Sequence, residues 1–217
     1  MSLFITGTDT GSGKTHVTSL LVESLRTLGI DAVGYKPVSC GDRDDGELLA
    51  SISGNLSIDE VNPVFFRTPV APYVASLLES KPIDPAILIE GYRKLAANHD
   101  FVCVEGVGGW EVPLTANYRI SDLARDLDLP VLLVAANKLG ALSHTLITTD
   151  AIRAKGLHCE GIILNQLVDE LDTAMITNKG VLEDLTGLPI LDHIIHGQDF
   201  FDPEIALSLA KQPAANS

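Results

Sequence analysis

The stretch Gly7-Thr8-Asp9-Thr10-Gly11-Ser12-Gly13-Lys14-Thr15 combines glycines, hydroxyls and one lysine at a spacing suited to holding a phosphate. Glycine permits positive φ and close approach of the backbone, so successive N–H groups and the start of a following helix can face an anion. Lys14 then reaches the β- and γ-phosphates of a nucleotide, and the Thr15 hydroxyl is placed to ligate Mg²⁺. Five residues separate Gly7 from Gly13 where four are usual, and Thr8 stands at the expected glycine position. A merely structural glycine turn is the competing reading. The strand expected before the loop and the helix expected after it favour the phosphate cradle.

Two further stretches carry charge in glycine-rich surroundings. Gly34-Tyr35-Lys36-Pro37-Val38 ends an apolar run with a lysine able to meet a phosphate or a carboxylate. Val104-Glu105-Gly106-Val107-Gly108-Gly109-Trp110 ends another with a carboxylate, and Glu105 is a candidate Mg²⁺ ligand because that ion combines one or two carboxylates with substrate phosphates. A second acid can come from Asp42, Asp44, Asp45 or Glu47, although a solvated charge run is the commoner explanation for such residues. Asn137-Lys138-Leu139-Gly140 precedes a helix whose first amides could hold an anion, or is an ordinary helix start. Asn165 ends a strand and either bonds a base or closes a turn.

The elements that must position these groups are legible from periodicity. Leu3 to Thr6, Ala32 to Lys36, Phe101 to Glu105, Val131 to Ala135 and Gly161 to Leu164 read as strands, most of them apolar throughout. Between the first two, Val17, Leu20, Leu21, Leu25 and Leu28 recur at helical spacing up to Gly29. Continuous apolar strands alternating with helices predict a doubly wound α/β fold, a mainly parallel sheet with helices on both faces. In such sheets ligands bind at the carboxyl ends of strands, where all of these motifs fall. The segment from Cys40 to Glu47 reads as a loop, Gln212 to Ser217 as a frayed tail, and residues 1–217 as a single domain.

Fifteen Lys and Arg against 29 Asp and Glu give a formal charge of -14, which repels phosphate backbones and anionic membranes. Nucleic acid and membrane are therefore not expected partners. Cys40, Cys103 and Cys159 are odd in number and lack metal-ligand spacing, and the first residues lack a basic region and a long apolar stretch. A cytoplasmic location is the expectation.

Taken in order, the loop Gly-Thr-Asp-Thr-x-x-Gly-Lys-Thr, then Gly-Tyr-Lys-Pro-Val, Val-Glu-Gly-x-Gly-Gly-Trp and Lys-Leu-Gly resemble the dethiobiotin synthetase family from about Leu3 to Asn165. The five-residue glycine spacing is that family's form. The resemblance implies a phosphate-binding-loop fold and a homodimeric, Mg·ATP-dependent enzyme that converts 7,8-diaminononanoate and CO₂ to a cyclic urea. It implies nucleotide binding by Asp9, Thr10, Gly11, Ser12, Gly13, Lys14, Thr15 and, at the adenine, Asn165. Lys14, Lys36 and Thr10 would act in catalysis, and Thr15, Asp45 and Glu105 would hold the metal, with Asp44 competing for the register of Asp45. Gly140, Ala141, Leu142 and Ser143 would bind the substrate's distant carboxylate from the partner subunit. Cys40 stands where a substrate-contacting serine is common, with Ser39 one residue earlier; Gly11, Tyr73 and Ile195 also depart from frequent family residues. Two other classes share such a loop. A partner-switch ATPase would carry a lysine early in it, absent between Gly7 and Gly13, and an amidating ligase would need a further glutamine-handling domain.

Overall fold

A computed structural model describes residues 1–54 and 56–211, so the tail expected from Gln212 lies outside the described residues. The chain runs β1 (Ser2–Gly7), α1 (Lys14–Thr27), β2 (Ala32–Tyr35), β3 (Val38–Cys40), α2 (Asp44–Ile52), α3 (Ile58–Val61), β4 (Val64–Phe66), α4 (Pro72–Leu78), α5 (Pro85–Asn98) and β5 (Phe101–Glu105). It continues β6 (Pro113–Thr115), β7 (Tyr118–Arg119), α6 (Ile120–Leu127), β8 (Val131–Ala136), α7 (Ala141–Ala154), β9 (Cys159–Asn165), α8 (Thr173–Thr186), β10 (Ile190–Ile194) and α9 (Pro203–Lys211). The main sheet has the order β10-β9-β8-β1-β5-β2 and every pairing in it is parallel.

Strand alternation divides the core. Phe4, Val33, Val102, Val104 and Leu133 face one side, while Leu3, Ile5, Phe101, Cys103, Leu132 and Val134 face the other, against Val17, Leu21 and Leu25 of α1 and Leu209 of α9. Each fully buried aliphatic side chain contributes about 1.5–3 kcal/mol, which is why both faces of the sheet must be covered. Because the strands are parallel, Gly7, Tyr35, Glu105, Ala136 and Asn165 all end at one edge. Ile5 pairs with Glu105 and Gly7 with Val134, so the phosphate loop leaves the sheet between the ends of β5 and β8. This is the crevice where strand order reverses and ligands bind.

Two features differ from the sequence expectation. The segment from Cys40 to Glu47 is not one loop: β3 ends at Cys40 and α2 begins at Asp44. Asp44, Asp45 and Glu47 thus occupy a first helical turn, where the helix dipole favours carboxylates. A sixth main-sheet strand, β10, escapes the apolar-run criterion because it is an edge strand whose Leu191, Asp192 and His193 are only partly buried.

Candidate active site

Gly13 caps the N-terminus of α1 at φ 87°, and a Cβ there would fall 1.9 Å from the Asn165 amide nitrogen. That approach requires glycine twice over, for conformation and for space. Asn165, 3% exposed at the end of β9, donates its Nδ2 to the Ser12 carbonyl at 3.0 Å and so pins the loop from a strand one place beyond β8 in the sheet. Within the loop, the Thr10 N–H donates to Asp9 Oδ1 at 2.7 Å and Lys14 Nζ donates to the Asp9 carbonyl at 3.2 Å. Gly108 and Gly109 let the loop after β5 lie against Thr10 and against the backbone of Gly7 to Asp9. Trp110, at the end of that loop, is buried edge-on against Phe4 of β1, with ring centroids 6.2 Å apart.

A cluster of opposite charges closes the other side. Lys36 Nζ donates to Glu105 Oε1 at 2.6 Å and to Asp45 Oδ2 at 2.7 Å, and the Thr15 hydroxyl donates to the same Glu105 oxygen at 2.7 Å. Glu105 is fully buried and Lys36 3% exposed. Burial disfavours the Lys36 ammonium, but the Glu105 and Asp45 charges outweigh it and hold its pKa above the ordinary lysine value. Burial likewise pushes the Asp45 carboxyl up, and the Lys36 charge and hydrogen bond reverse this and bring it below the usual range. The acid that meets Lys36 is therefore Asp45; Asp44 and Glu47 are exposed to solvent.

Lys14 differs. Burial, then repulsion from Lys36, lowers its pKa to about 8. Deprotonation of Lys14 thus favours the ligand-free folded state as pH rises through 8 toward 10.5, whereas a bound phosphate favours the ammonium and restores the proton. Titrating inorganic pyrophosphate into the protein at pH near 8.5, in buffers of different ionisation enthalpy, is expected to reveal net proton uptake that disappears in Lys14→Met. Equal heats in all buffers would contradict it.

Thr10, Gly11, Gly13, Lys14, Thr15, Lys36, Ser39, Cys40, Asp42 and Asp45 surround one cavity of about 430 Å³. A larger cavity, about 600 Å³ between α3 and α5, is lined by Leu56, Pro63, Ile87 and Leu95 and holds none of the motif residues. Of the two candidates near β3, the Ser39 hydroxyl donates to Asn62 Oδ1 at 2.8 Å, while Cys40 remains partly exposed. Burial first, and Glu79 second, raise the Cys40 thiol to about 11, so at neutral pH it is a small polarisable wall and not a thiolate. Gly140, Ala141, Leu142 and Ser143 do not line this cavity. Gly140 caps α7 at φ 94°, and the turn before it is held by the Asn178 side chain, which donates to Asn137 Oδ1 at 2.8 Å and to the Lys138 carbonyl at 3.2 Å. The Ala141 N–H is also bonded to the Lys138 carbonyl, at 3.0 Å. Asn62, which lies in none of the glycine-rich motifs and carries no local signal of a role, is fully buried against Lys36 and Ser39.

The oxygens of Thr15, Asp45 and Glu105 form a hard donor set of the kind Mg²⁺ takes. Glu105 Oε2 is buried without a hydrogen-bond partner, so a cation beside it would satisfy an otherwise orphaned carboxylate oxygen. The residues present fit that ion. Among the described residues no group of three or more His, Cys, Asp and Glu side chains converges, so this set of two carboxylates and a hydroxyl would leave the other positions on Mg²⁺ to phosphate oxygens and water.

A glycine-rich loop between β1 and α1, carrying Lys14 and Thr15 on a parallel sheet, defines a phosphate-binding-loop nucleotide enzyme. Solved structures of like fold include the MinD cell division protein of Aquifex aeolicus (TM-score 0.59, 12% identity, 97% of this chain and 95% of that one). The ParA family ATPase of Chlorobium tepidum is similar too (TM-score 0.57, 15% identity, 95% and 89%). At those identities the likeness concerns the fold alone. A family model described as an AAA domain matches residues 1–197. The ATP-dependent dethiobiotin synthetase BioD of Akkermansia muciniphila is 49% identical over 207 residues, 95% of this chain and 97% of that protein. Those of Anaeromyxobacter sp. strain Fw109-5 (41%, 91% of each chain) and Aromatoleum aromaticum (39%, 95% of each chain) are also similar. The chain belongs to the ATP-dependent dethiobiotin synthetase BioD family.

Proposed function

We propose that this enzyme uses Mg·ATP to carboxylate 7,8-diaminononanoate with CO₂ and to close the cyclic urea of dethiobiotin, releasing ADP and phosphate. The observation that carries the reading is the position of Lys36, a buried ammonium between Asp45 and Glu105 on the wall that also holds Lys14 and Thr15. One amine of the substrate captures CO₂ as a carbamate, the carbamate oxygen attacks the γ-phosphate, and the second amine closes the ring as phosphate leaves. Lys14 and the amides of the loop orient the phosphates and oppose their negative charge. Lys36 meets the carbamate and the γ-phosphate together, lowering the repulsion between two anions that must react. Thr15, Asp45 and Glu105 hold Mg²⁺, which neutralises charge on the phosphates when bound. Positioning and charge neutralisation suffice for such a transfer, and no nucleophilic side chain is required.

Asn165, its amide nitrogen committed to the Ser12 carbonyl, is assigned to the adenine, which its Oδ1 would meet as an acceptor. In the proposed homodimer the first turn of α7 binds the carboxylate of a substrate held by the other chain, because helix N-termini attract anions and this one lies off its own chain's cavity. Leu139, Ile147 and Ile176 of the α7–α8 face are exposed, apolar surface that a second copy would cover. The three free cysteines accord with a cytoplasmic setting. Among the described residues no helix is long and apolar enough to cross a membrane. The test is phosphate release from Mg·ATP at fixed CO₂, with and without diaminononanoate, with mass detection of the urea. Release that ignores the diamine, or leaves no urea, would reject the reading.

A further inference from the structure

Asn62 is fully buried and joins four pieces of chain. Its Nδ2 donates to the Lys36 carbonyl at 2.7 Å and, more weakly, to that of Val64 at 3.4 Å. Its Oδ1 accepts from the Ser39 hydroxyl at 2.8 Å and from Arg43 Nε at 3.0 Å, and its own carbonyl accepts from Arg43 Nη2. The neighbouring Val61 carbonyl accepts the Lys36 N–H at 2.8 Å, so Lys36 is gripped at both ends of its backbone by residues 61 and 62. Arg43 is the residue before α2, whose second residue is Asp45. α2 rests directly on Asn62: a Cβ on Gly46 would come within 2.8 Å of the Asn62 Cβ.

Lys36 directly follows β2 and Asp45 lies on α2, yet they meet at 2.7 Å. No covalent constraint sets that distance, and Asn62 contacts the backbone or the capping residue of both elements. We propose that Asn62 is a positioning residue for the chemical step, setting where the Lys36 ammonium stands relative to Asp45 and the transferring phosphoryl group. The inference rests on the role assigned above to Lys36. Asn62 does not line the cavity shared by Lys14, Thr15 and Lys36, and its donor and acceptor are both used within the protein, so an apolar or acidic replacement breaks the grip without altering the cavity wall. An error of about 1 Å in a catalytic cation can lower turnover on the order of 100-fold.

The experiment is a cycle of four proteins: wild type, Asn62→Leu, Lys36→Met and the double variant, each assayed for kcat and for the KM of ATP at saturating diaminononanoate. Asn62→Leu is expected to lower kcat by about 10- to 100-fold in the wild-type background with the KM of ATP within about threefold, but to lower it by less than about threefold once Lys36 is methionine. The same fold-loss in both backgrounds would mean that Asn62 only supports the fold, and would overturn the proposal, as would a KM for ATP that rises as much as kcat falls. If Lys36→Met alone keeps wild-type kcat, it is the role of Lys36 that fails, and the positioning proposal falls with it. Asn62→Asp is the second variant should Asn62→Leu not fold. It keeps the acceptor for Ser39 and Arg43 and turns an oxygen on the Lys36 carbonyl, and the same non-additivity with Lys36→Met is expected.

Discussion

Replacing Lys14 by methionine is expected to leave a folded protein whose diamine-dependent phosphate release falls at least about 100-fold, or about 2.7 kcal/mol of lost transition-state stabilisation. The side chain is 6% exposed, and methionine fills its volume without a charge, so thermal unfolding should change little. Activity within about tenfold of wild type would remove Lys14 from the chemistry. The same variant tests the shared site. A mixed dimer of Lys14→Met and Gly140→Asp chains contains one site in which an intact loop faces a normal Gly140, and one in which both are altered. Random mixing should restore about one quarter of wild-type activity. No recovery above either parent would place the whole substrate site within one chain.

Lys36→Met should have a different signature: turnover falls at least about 100-fold while ATP still binds within a few-fold of normal, because the proposed partners of Lys36 are the carbamate and the γ-phosphate together. It also leaves Glu105, fully buried, without the ammonium 2.6 Å away, and breaking such a pair on one side costs about 3–5 kcal/mol of stability. Adding Glu105→Gln removes the uncompensated charge and should recover most of the melting temperature but none of the turnover. Recovery of turnover with stability would mean that Lys36 serves the fold and not the reaction.

The three glycine-rich stretches were readable because each needs residue types whose chemistry is local. Gly13 at positive φ, Lys14 one residue later and Thr15 after it depend on neighbours within a turn. The strands that carry them are apolar over most of their length, a pattern that parallel sheets buried on both faces impose. β10 was not readable on that criterion, since an edge strand need not be apolar on both sides, and neither was the beginning of α2, where Asp44 and Asp45 look like a solvated acidic loop.

The phosphate loop and the parallel α/β class were legible from short-range spacing and from the apolar period of strands and helices, and the family from the resemblance of four motifs in order. Which acid meets Lys36 came from packing alone. Asp45 and Glu105 are 60 positions apart, and they become partners of one ammonium because β2 and β5 are neighbours in the sheet and α2 packs over β2. Packing also decided that Ser39 is committed to Asn62 while Cys40 stays open to the cavity, and that Asn165 holds the loop through Ser12. The physical reason is the same each time: a hydrogen bond or ion pair is set by distance in space, and between separate elements that distance depends on packing no local pattern encodes.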